Sequence, residues 1–470
     1  MAQARNMILF VTDQWRWDTL NKPGHPAQLP HLRAFAEEAT NFTNAFTTVP
    51  LCTPARGSLF TGKLPHQHGT MDNVQGRSFY PHGKLHPSQT TYLERLAQEG
   101  YDVSFIGKWH LGDGTLLDRG IEDTSLSDGG NTELMNTASV QFEGPEKSPY
   151  YATVADGVPL DEQRVNLAIE KLAVLGKGTR PFCLVVCLHG PHFPHHVPKR
   201  FVDLYKDLPE DYMPENWCEQ FSESGKPEAQ NAFYWPCQDT SHMSQQDWRR
   251  TAQHYWGFCS YIDDMFGKLR QAVSEQGRDK DTILAFTADH GEMLGAHGWF
   301  DKGPFFYEEI MRIPMLIRDP EQPAGTRNNF VSFHHLFPTI LSGTPVAQTL
   351  GAEEQANSFW TSDEKHVFYV YDAYQGRQFR FRGIRDERYK YAWSPHDIEE
   401  FYDLEADPGE CLNLAGTADV AQEQKRLKAA LFQWMKTHND WLAGPGHHLP
   451  VGSYIDGRDK SEQHLHQGFT

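Results

Sequence analysis

Apolar and polar positions along this chain follow a repeating plan. Short unbroken apolar runs, in MILFVTDQ, VSFIGKW, FCLVVCLHGPHFP and TILAFTADHGE, each give way to a polar cluster. Runs of this kind suit strands buried on both faces, and so predict a largely parallel sheet covered by helices. Helical stretches lie between them: TYLERLAQEGY precedes VSFIGKW, DEQRVNLAIEKLAVLG precedes FCLVVCL, and a long amphipathic segment beginning SQQDWRR precedes TILAF. Strands alternating with helices mean an α/β fold, here a large, mostly parallel sheet sandwiched by helices. From about Glu364 the texture changes to the alternating segments HVFYVYDA, RQFRFRGIRD, RYKYAWS and EEFYDLEADPGE, followed by QEQKRLKAALFQWMKTHND. These predict a small antiparallel sheet and a helix, hence a large N-terminal domain, 1–363, and a smaller α+β subdomain, 364–470. The Gly-, His- and Pro-rich tail from Gly444 is expected to pack as an extended strap.

In open α/β sheets, sites form beyond the carboxyl ends of strands. MILFVTDQ ends at Asp13 and Gln14, TILAFTADHGE reaches Asp289 and His290, and a third run ends in histidines, so the three clusters can converge. Asp13, Gln14, Asp289 and His290 form the expected metal cage. Two carboxylates and an amide oxygen suit Ca²⁺, Mg²⁺ or Mn²⁺, and the imidazole moves the balance toward Mn²⁺. One divalent cation is expected, Ca²⁺ first, with Mn²⁺ or Mg²⁺ as alternatives.

The stretch VPLCTPARGSLFTGKLPHQHG predicts a helix with Thr53 as N-cap and Pro54 at N1. Arg56 then falls at N3, near the positive end of the helix dipole, where an acidic residue would be the stabilising choice. Free N–H groups, dipole and guanidinium together describe an anion site with Cys52 at its lip. In FIGKWHLGDG, Lys108 and His110 share one side of an extended segment while Trp109 turns into the core. HGPHFPHH offers His189, His192, His195 and His196, of which only one need face the metal. AHGWFDKGPFFYEE brings Lys302 back to the same place. Singly, each has a bland reading: a solvated lysine, a structural histidine, a strand-end aspartate capping a turn. Together they describe a cationic, metal-bearing pocket around a cysteine on a helix N-terminus.

Composition narrows the partners. Hydrophobic residues at 39% and charged residues at 22% are ordinary for a globular chain of 470 residues. A formal charge of −19 argues against nucleic acid or anionic membrane as partner. It leaves a small anionic substrate open, because charges beyond about 8 Å are largely screened. No apolar run approaches the roughly 20 residues of a membrane span, and the first residues lack a signal-peptide layout. The seven cysteines, Cys52, Cys183, Cys187, Cys218, Cys237, Cys259 and Cys411, are odd in number and show no zinc-type pairing. A reduced, cytoplasmic setting is the default expectation.

On these motifs the chain resembles a type I sulfatase of the alkaline phosphatase superfamily. CTPAR matches that family's C-x-P-x-R signature, and GKWHLG, DHGEMLGAHGWFDKG, MRIPMLIR, LFPTIL and FYDLEADPGECLNLA are similar to family segments, in family order, from about Met7 to Asn439. The resemblance implies that Cys52 is oxidised to formylglycine by a maturation enzyme. The aldehyde is hydrated to a gem-diol held at the metal, which attacks the sulfur of a sulfate monoester. It implies that Arg56 holds the formylglycine oxygens and that Lys108 and Lys302 neutralise the sulfate oxygens. His110 would assist collapse to the aldehyde, with His192 as general acid beside the leaving oxygen. The implied substrate is a sulfated carbohydrate or aryl sulfate, and a homo-oligomer is compatible with the sequence.

Departures from the pattern are informative. The family commonly opens with two aspartates where this chain has Asp13 and Gln14, and often carries Asp-Asn where this chain has Asp289 and His290. His335 replaces a usual aspartate and is read as structural. A phosphonate monoesterase or phosphodiesterase on the same scaffold is the alternative, since some members combine Asp-Gln with Asp-His; that branch is read as lacking the lysine and histidine of GKWH. A thiol phosphatase needs a longer Cys-to-Arg spacing than the three residues here. A non-catalytic binding protein is disfavoured because every catalytic position is retained. Trp15, Trp17, Trp299, Phe300 and Tyr374 could stack on a sugar or aryl ring, or serve as core.

Overall fold

The computed structural model describes residues 4–74, 83–112, 116–121, 123–128, 148, 150–154, 160–217, 225–231, 240–342, 344, 347, 358–374, 377–395 and 397–444. Among them, eight strands form one sheet: β1 (Asn6–Asp13), β2 (Thr40–Phe42), β3 (Asp102–Lys108), β4 (Asp123–Asp128), β5 (Phe182–Pro191), β6 (Thr282–Ala288), β7 (Met315–Arg318) and β8 (Gly325–Arg327). Their order is β8-β2-β7-β6-β1-β5-β3-β4. β6, β1, β5, β3 and β4 run parallel, and β7 alone opposes its neighbours. Every residue of β1 is buried, as its unbroken apolar run demands of a central strand. Phe10 pairs with Val186 on one side and Phe286 on the other.

Helices cover this sheet where the sequence places them: α1 (Cys52–Thr61), α2 (Tyr92–Gln98), α3 (Leu160–Leu175) and α4 (Gln245–Glu275). α2 and α4 both start with reciprocal capping boxes, Thr91 with Glu94 and Ser244 with Asp247. The buried face of α4 lies on the sheet, with the Phe266 ring 5.4 Å from both Phe10 and Phe286.

The alternating C-terminal segments form a second, antiparallel sheet of four strands: β9 (Val367–Tyr374), β10 (Arg377–Arg385), β11 (Tyr389–Trp393) and β12 (Glu400–Asp403). Helix α5 (Ala421–Thr437) packs Leu427, Leu431 and Met435 against Ile384, Tyr391 and Phe401. Tyr369, Tyr371 and Tyr402 instead join the main core. Among the described residues no helix is long and apolar enough to cross a membrane. Cys52, Cys183, Cys187 and Cys259 are buried, free thiols, and Cys411 is exposed. The tail beyond Gly444, expected as a strap, lies outside the described residues, as do Cys218 and Cys237.

Candidate functional site

Strands β6, β1, β5 and β3 are adjacent and parallel, so their carboxyl ends open on one side of the sheet. Those ends carry Asp289 and His290, Asp13 and Gln14, the His189–His192 segment, and Lys108. Helix α1 brings Cys52 to them. It starts two residues earlier than the sequence suggests: Leu51 is the N-cap, without a side-chain cap bond, and Cys52 itself is the first helical residue. Thr53 does not cap because its groups are committed elsewhere. Its N–H donates to Asn73 Oδ1 at 2.9 Å, and its hydroxyl accepts from Val74 N at 3.0 Å and lies 3.3 Å from His110 Nδ1.

Arg56 therefore sits in the second turn, and its charge is matched by side chains from the sheet. Its Nε donates to Asp289 Oδ2 at 2.9 Å, one terminal nitrogen to Asp13 Oδ2 at 3.1 Å, and the other to Lys108 O at 2.8 Å. Lys108 Nζ donates to the same Asp13 Oδ2 at 2.6 Å. The chain turns here at Gly107 (φ 96°), where a Cβ would lie 2.0 Å from Cys187 O, so only glycine fits. The sequence places His110 on an extended segment with Lys108. Instead β3 ends at Lys108 and His110 is left-handed (φ 55°), which turns its ring to Thr53 at the start of α1. Its Nε2 is buried with no partner among the described residues. Trp109 is buried in the core.

Lys302 arrives from the loop after β6. Its Nζ reaches Gln14 Oε1 at 2.8 Å, His192 Nε2 at 2.9 Å and Asp301 Oδ1 at 3.0 Å. His192 Nδ1 lies 2.6 Å from the Phe193 carbonyl and must donate to it, so Nε2 accepts from the lysine. Of the other histidines, His195 is enclosed by the rings of Tyr255 and Phe300, away from the cluster. The His189 ring lies 5.0 Å from that of His192, tilted by 40°.

The remaining atoms converge as a cation site would require. Asp13 Oδ1 and Asp289 Oδ1 lie 3.8 and 3.7 Å from His290 Nε2; Cys52 Sγ is 3.2 Å from that nitrogen and 3.7 Å from Asp13 Oδ1. Ligands about 2.1–2.6 Å from a shared divalent cation stand about 3–4 Å apart, so this donor set fits one. His290 Nδ1, 2.8 Å from Gly291 O, must carry the proton, leaving the Nε2 lone pair facing the cluster. Gln14 Oε1 keeps a second lone pair beyond the one Lys302 uses.

Burial dominates the electrostatics. It opposes ionisation of Asp13, yet Lys108, His192 and Arg56 hold that carboxyl well below the usual range. Burial and the Asp13 charge raise Asp289. Burial and Asp13 push the Cys52 thiol up to about 12, so the unmodified side chain is a protonated, poor nucleophile. Burial and Lys302 lower His192; burial and Lys108 lower His110.

Several residues that shape the site are silent in the sequence. Tyr255 on α4 donates to the Gln14 carbonyl at 2.8 Å, and Asp161 in the first turn of α3 accepts from His189 N and Gly190 N at 3.0 and 2.8 Å. Glu292, in DHGE, is fully buried and accepts from the Gln14 amide. Its position three residues after Asp289 was the available signal. Trp15 and Phe300 are core, Tyr374 is buried, Trp299 packs against the core, and Trp17 lies under Arg312 at 3.8 Å. His335 accepts at Nδ1 from Ser332 N at 2.9 Å. Its Nε2 therefore carries the proton and lies 3.3 Å from Glu364 Oε1.

Comparison with known proteins gives concordant matches. The Sulfatase family profile covers residues 5–346, and the profile described as N-sulphoglucosamine sulphohydrolase, C-terminal, covers residues 295–437. The chain is similar to an ulvan-active sulfatase of Formosa agariphila, 29% identical over 480 residues, spanning 97% of this chain and 86% of the relative. It is also similar to a choline-sulfatase of Rhizobium meliloti, 28% identical over 457 residues, spanning 90% and 85%. Among solved structures, the phosphonate monoester hydrolase of Agrobacterium radiobacter shares the fold with a TM-score of 0.73 at 22% identity, covering 92% of this chain and 96% of that one.

Proposed function

The chain belongs to the sulfatase family and is a sulfuric ester hydrolase, and from that premise we propose that it cleaves a sulfate monoester carried on a carbohydrate, using formylglycine made from Cys52. The observation that carries this reading is the meeting of Cys52 Sγ with Asp13 and His290 at the first residue of α1, flanked by two buried lysines. A formylglycine at position 52 supplies a hydrated aldehyde as nucleophile, and a divalent cation held by Asp13, Gln14, Asp289 and His290 supplies Lewis-acid activation beside it. Ca²⁺ is our first assignment, then Mn²⁺ or Mg²⁺.

The chain's own groups do the rest. Arg56 fixes both carboxylates through their Oδ2 atoms, and the N–H groups of Gln14 and His290 orient Asp289 Oδ1, so that the two Oδ1 atoms face the cation position. Lys108 and Lys302, fixed by Asp13 and Asp301, present positive charge to sulfate oxygens as negative charge builds in the transition state. His192 Nε2 accepts from Lys302 and holds that ammonium beside the leaving-group oxygen, so the departing alcohol takes its proton from Lys302. His110 Nε2, free of protein partners among the described residues, takes the proton released when the second hydroxyl on residue 52 becomes the aldehyde and sulfate departs.

The sugar assignment draws on the N-sulphoglucosamine sulphohydrolase profile and on the ulvan-active relative. Residues 364–470 are proposed as a subdomain whose strand β9 meets the segment leading into α1, where Val370 N donates to Thr48 O at 3.0 Å. A phosphonate or phosphate diester is the second reading, favoured by the fold shared with the phosphonate monoester hydrolase. Turnover of sulfated mono- and oligosaccharides, choline sulfate, an aryl sulfate and a matched aryl phosphodiester separates these. The account predicts highest kcat/KM on a sulfated sugar; choline sulfate or the diester in first place would replace it.

A further inference from the structure

A glutamine side chain ends in an oxygen and an NH₂ of nearly equal size, and its shape does not decide which faces a cation. At Gln14 every polar group is committed. Its N–H donates to Asp289 Oδ1 at 3.1 Å, its carbonyl accepts from Tyr255, and its backbone is left-handed (φ 71°). The side-chain oxygen accepts from the Lys302 ammonium, and the NH₂ donates to Glu292 Oε2. An ammonium only donates and a carboxylate only accepts, so the amide has one orientation. The other Glu292 oxygen accepts from Leu294 N at 2.9 Å and from Asp301 N at 2.6 Å. One buried carboxylate thus ties the Gln14 amide to the backbone immediately before Lys302.

We propose that Glu292 is the positioning residue that makes glutamine serviceable at position 14, by holding the amide NH₂ away so that its oxygen faces the cation. This rests on reading Asp13, Gln14, Asp289 and His290 as one cation site. A carboxylate at position 14 would present oxygen from either end and would need no such partner. Glu292→Gln keeps shape and hydrogen-bonding length but has a single acceptor oxygen. If that oxygen stays with Leu294 N and Asp301 N, the new NH₂ meets the Gln14 NH₂, and Gln14 must flip its own NH₂ toward the cation and Lys302. If it turns to Gln14, two buried backbone N–H groups lose their acceptor.

The test measures Mn²⁺ affinity by chelator competition on chelator-stripped, full-length protein, without substrate. Glu292→Gln should bind Mn²⁺ about 10- to 100-fold more weakly than the parent, the usual scale for losing an outer partner of a ligand. Adding Gln14→Glu to Glu292→Gln should restore binding to the parent level or above. Residue 14 then offers oxygen at both ends, and the amide introduced at position 292 donates to it. A purely structural role for Glu292 would not be rescued by this exchange. Unchanged affinity in the single variant, or no recovery in the double, overturns the proposal. Should the single variant not fold, the double decides alone: a folded protein with parental Mn²⁺ affinity supports the proposal, and any other result overturns it. Because no ester is present, failure here leaves the sulfate-ester reading standing, and failure of that reading leaves the affinity result intact.

Discussion

Arg56 and Asp289 meet at 2.9 Å with neither side chain exposed, and the same guanidinium reaches Asp13 at 3.1 Å. A cation on a helix is thereby the partner of two carboxylates from two strands. Removing it leaves like charges buried together, which costs about 3–5 kcal/mol where one member of a buried pair is lost. Arg56→Ala should therefore unfold at markedly lower denaturant than the parent. Arg56→Lys should recover only part of the loss, since one ammonium cannot reproduce the fork onto two carboxylates and the Lys108 carbonyl. Equal stability of Arg56→Ala and the parent in denaturant titration would refute this role.

The donor set predicts one divalent ion per chain. Elemental analysis should find it, with Ca²⁺ expected first and Mn²⁺ second. Stripping it with chelator should abolish turnover and lower the melting temperature, because a ligand that binds only the folded state stabilises that state. His290→Ala should copy both effects. Two ions per chain, or full activity in Asp289→Ala, would contradict the four-residue cage.

Lys108 separates sulfate from diester chemistry. Both substrates are monoanions, but a diester needs room for its second ester group, and we propose that Lys108 and His110 take up that room. Lys108→Ala should lower kcat/KM for an aryl sulfate about 10²-fold or more, the scale of losing one preorganised charge contact. Any diesterase activity should fall less. Equal losses on both substrates would move the assignment to the diesterase reading.

A buried ion network around Glu308 makes stability depend on pH. Burial alone would raise Glu308, but Arg385, Lys390 and Arg312, at 3.1, 3.0 and 3.5 Å, hold it down to about 2. A carboxyl whose folded pKa lies below its unfolded one stabilises fully above the unfolded value, about 4.3, and loses that contribution as pH falls toward 2. The contribution is on the order of 3 kcal/mol. Glu308→Gln should be less stable than the parent at pH 7, with the gap narrowing between pH 5 and pH 3. Parallel loss of stability in parent and variant over that range would show that Glu308 carries no such linkage.

The fold was legible because its signals are local. Buried-strand runs, capping boxes at Thr91 and Ser244, and the alternation after Glu364 each depend on neighbours in sequence. Convergence of Asp13 with Asp289 followed from the strand-end rule once both strands were recognised as parallel. What escaped depends on partners distant in sequence. Thr53 looks like an N-cap until Asn73, Val74 and His110 claim its polar groups. His110 looks extended until its backbone turns left-handed. The aromatic candidates for substrate stacking carry no local mark that distinguishes a binding face from the core, and Trp15 and Phe300 proved to be core. Arg56 raised its question locally, as a cation early in a helix, but the two carboxylates that answer it come from other strands.

The most direct test of the central claim is mass spectrometry of the peptide spanning Cys52, taken from preparations of differing sulfatase activity. The account predicts an aldehyde in place of the thiol, in a fraction that rises in proportion to sulfate-ester turnover. A fully active preparation carrying only unmodified Cys52 would contradict it.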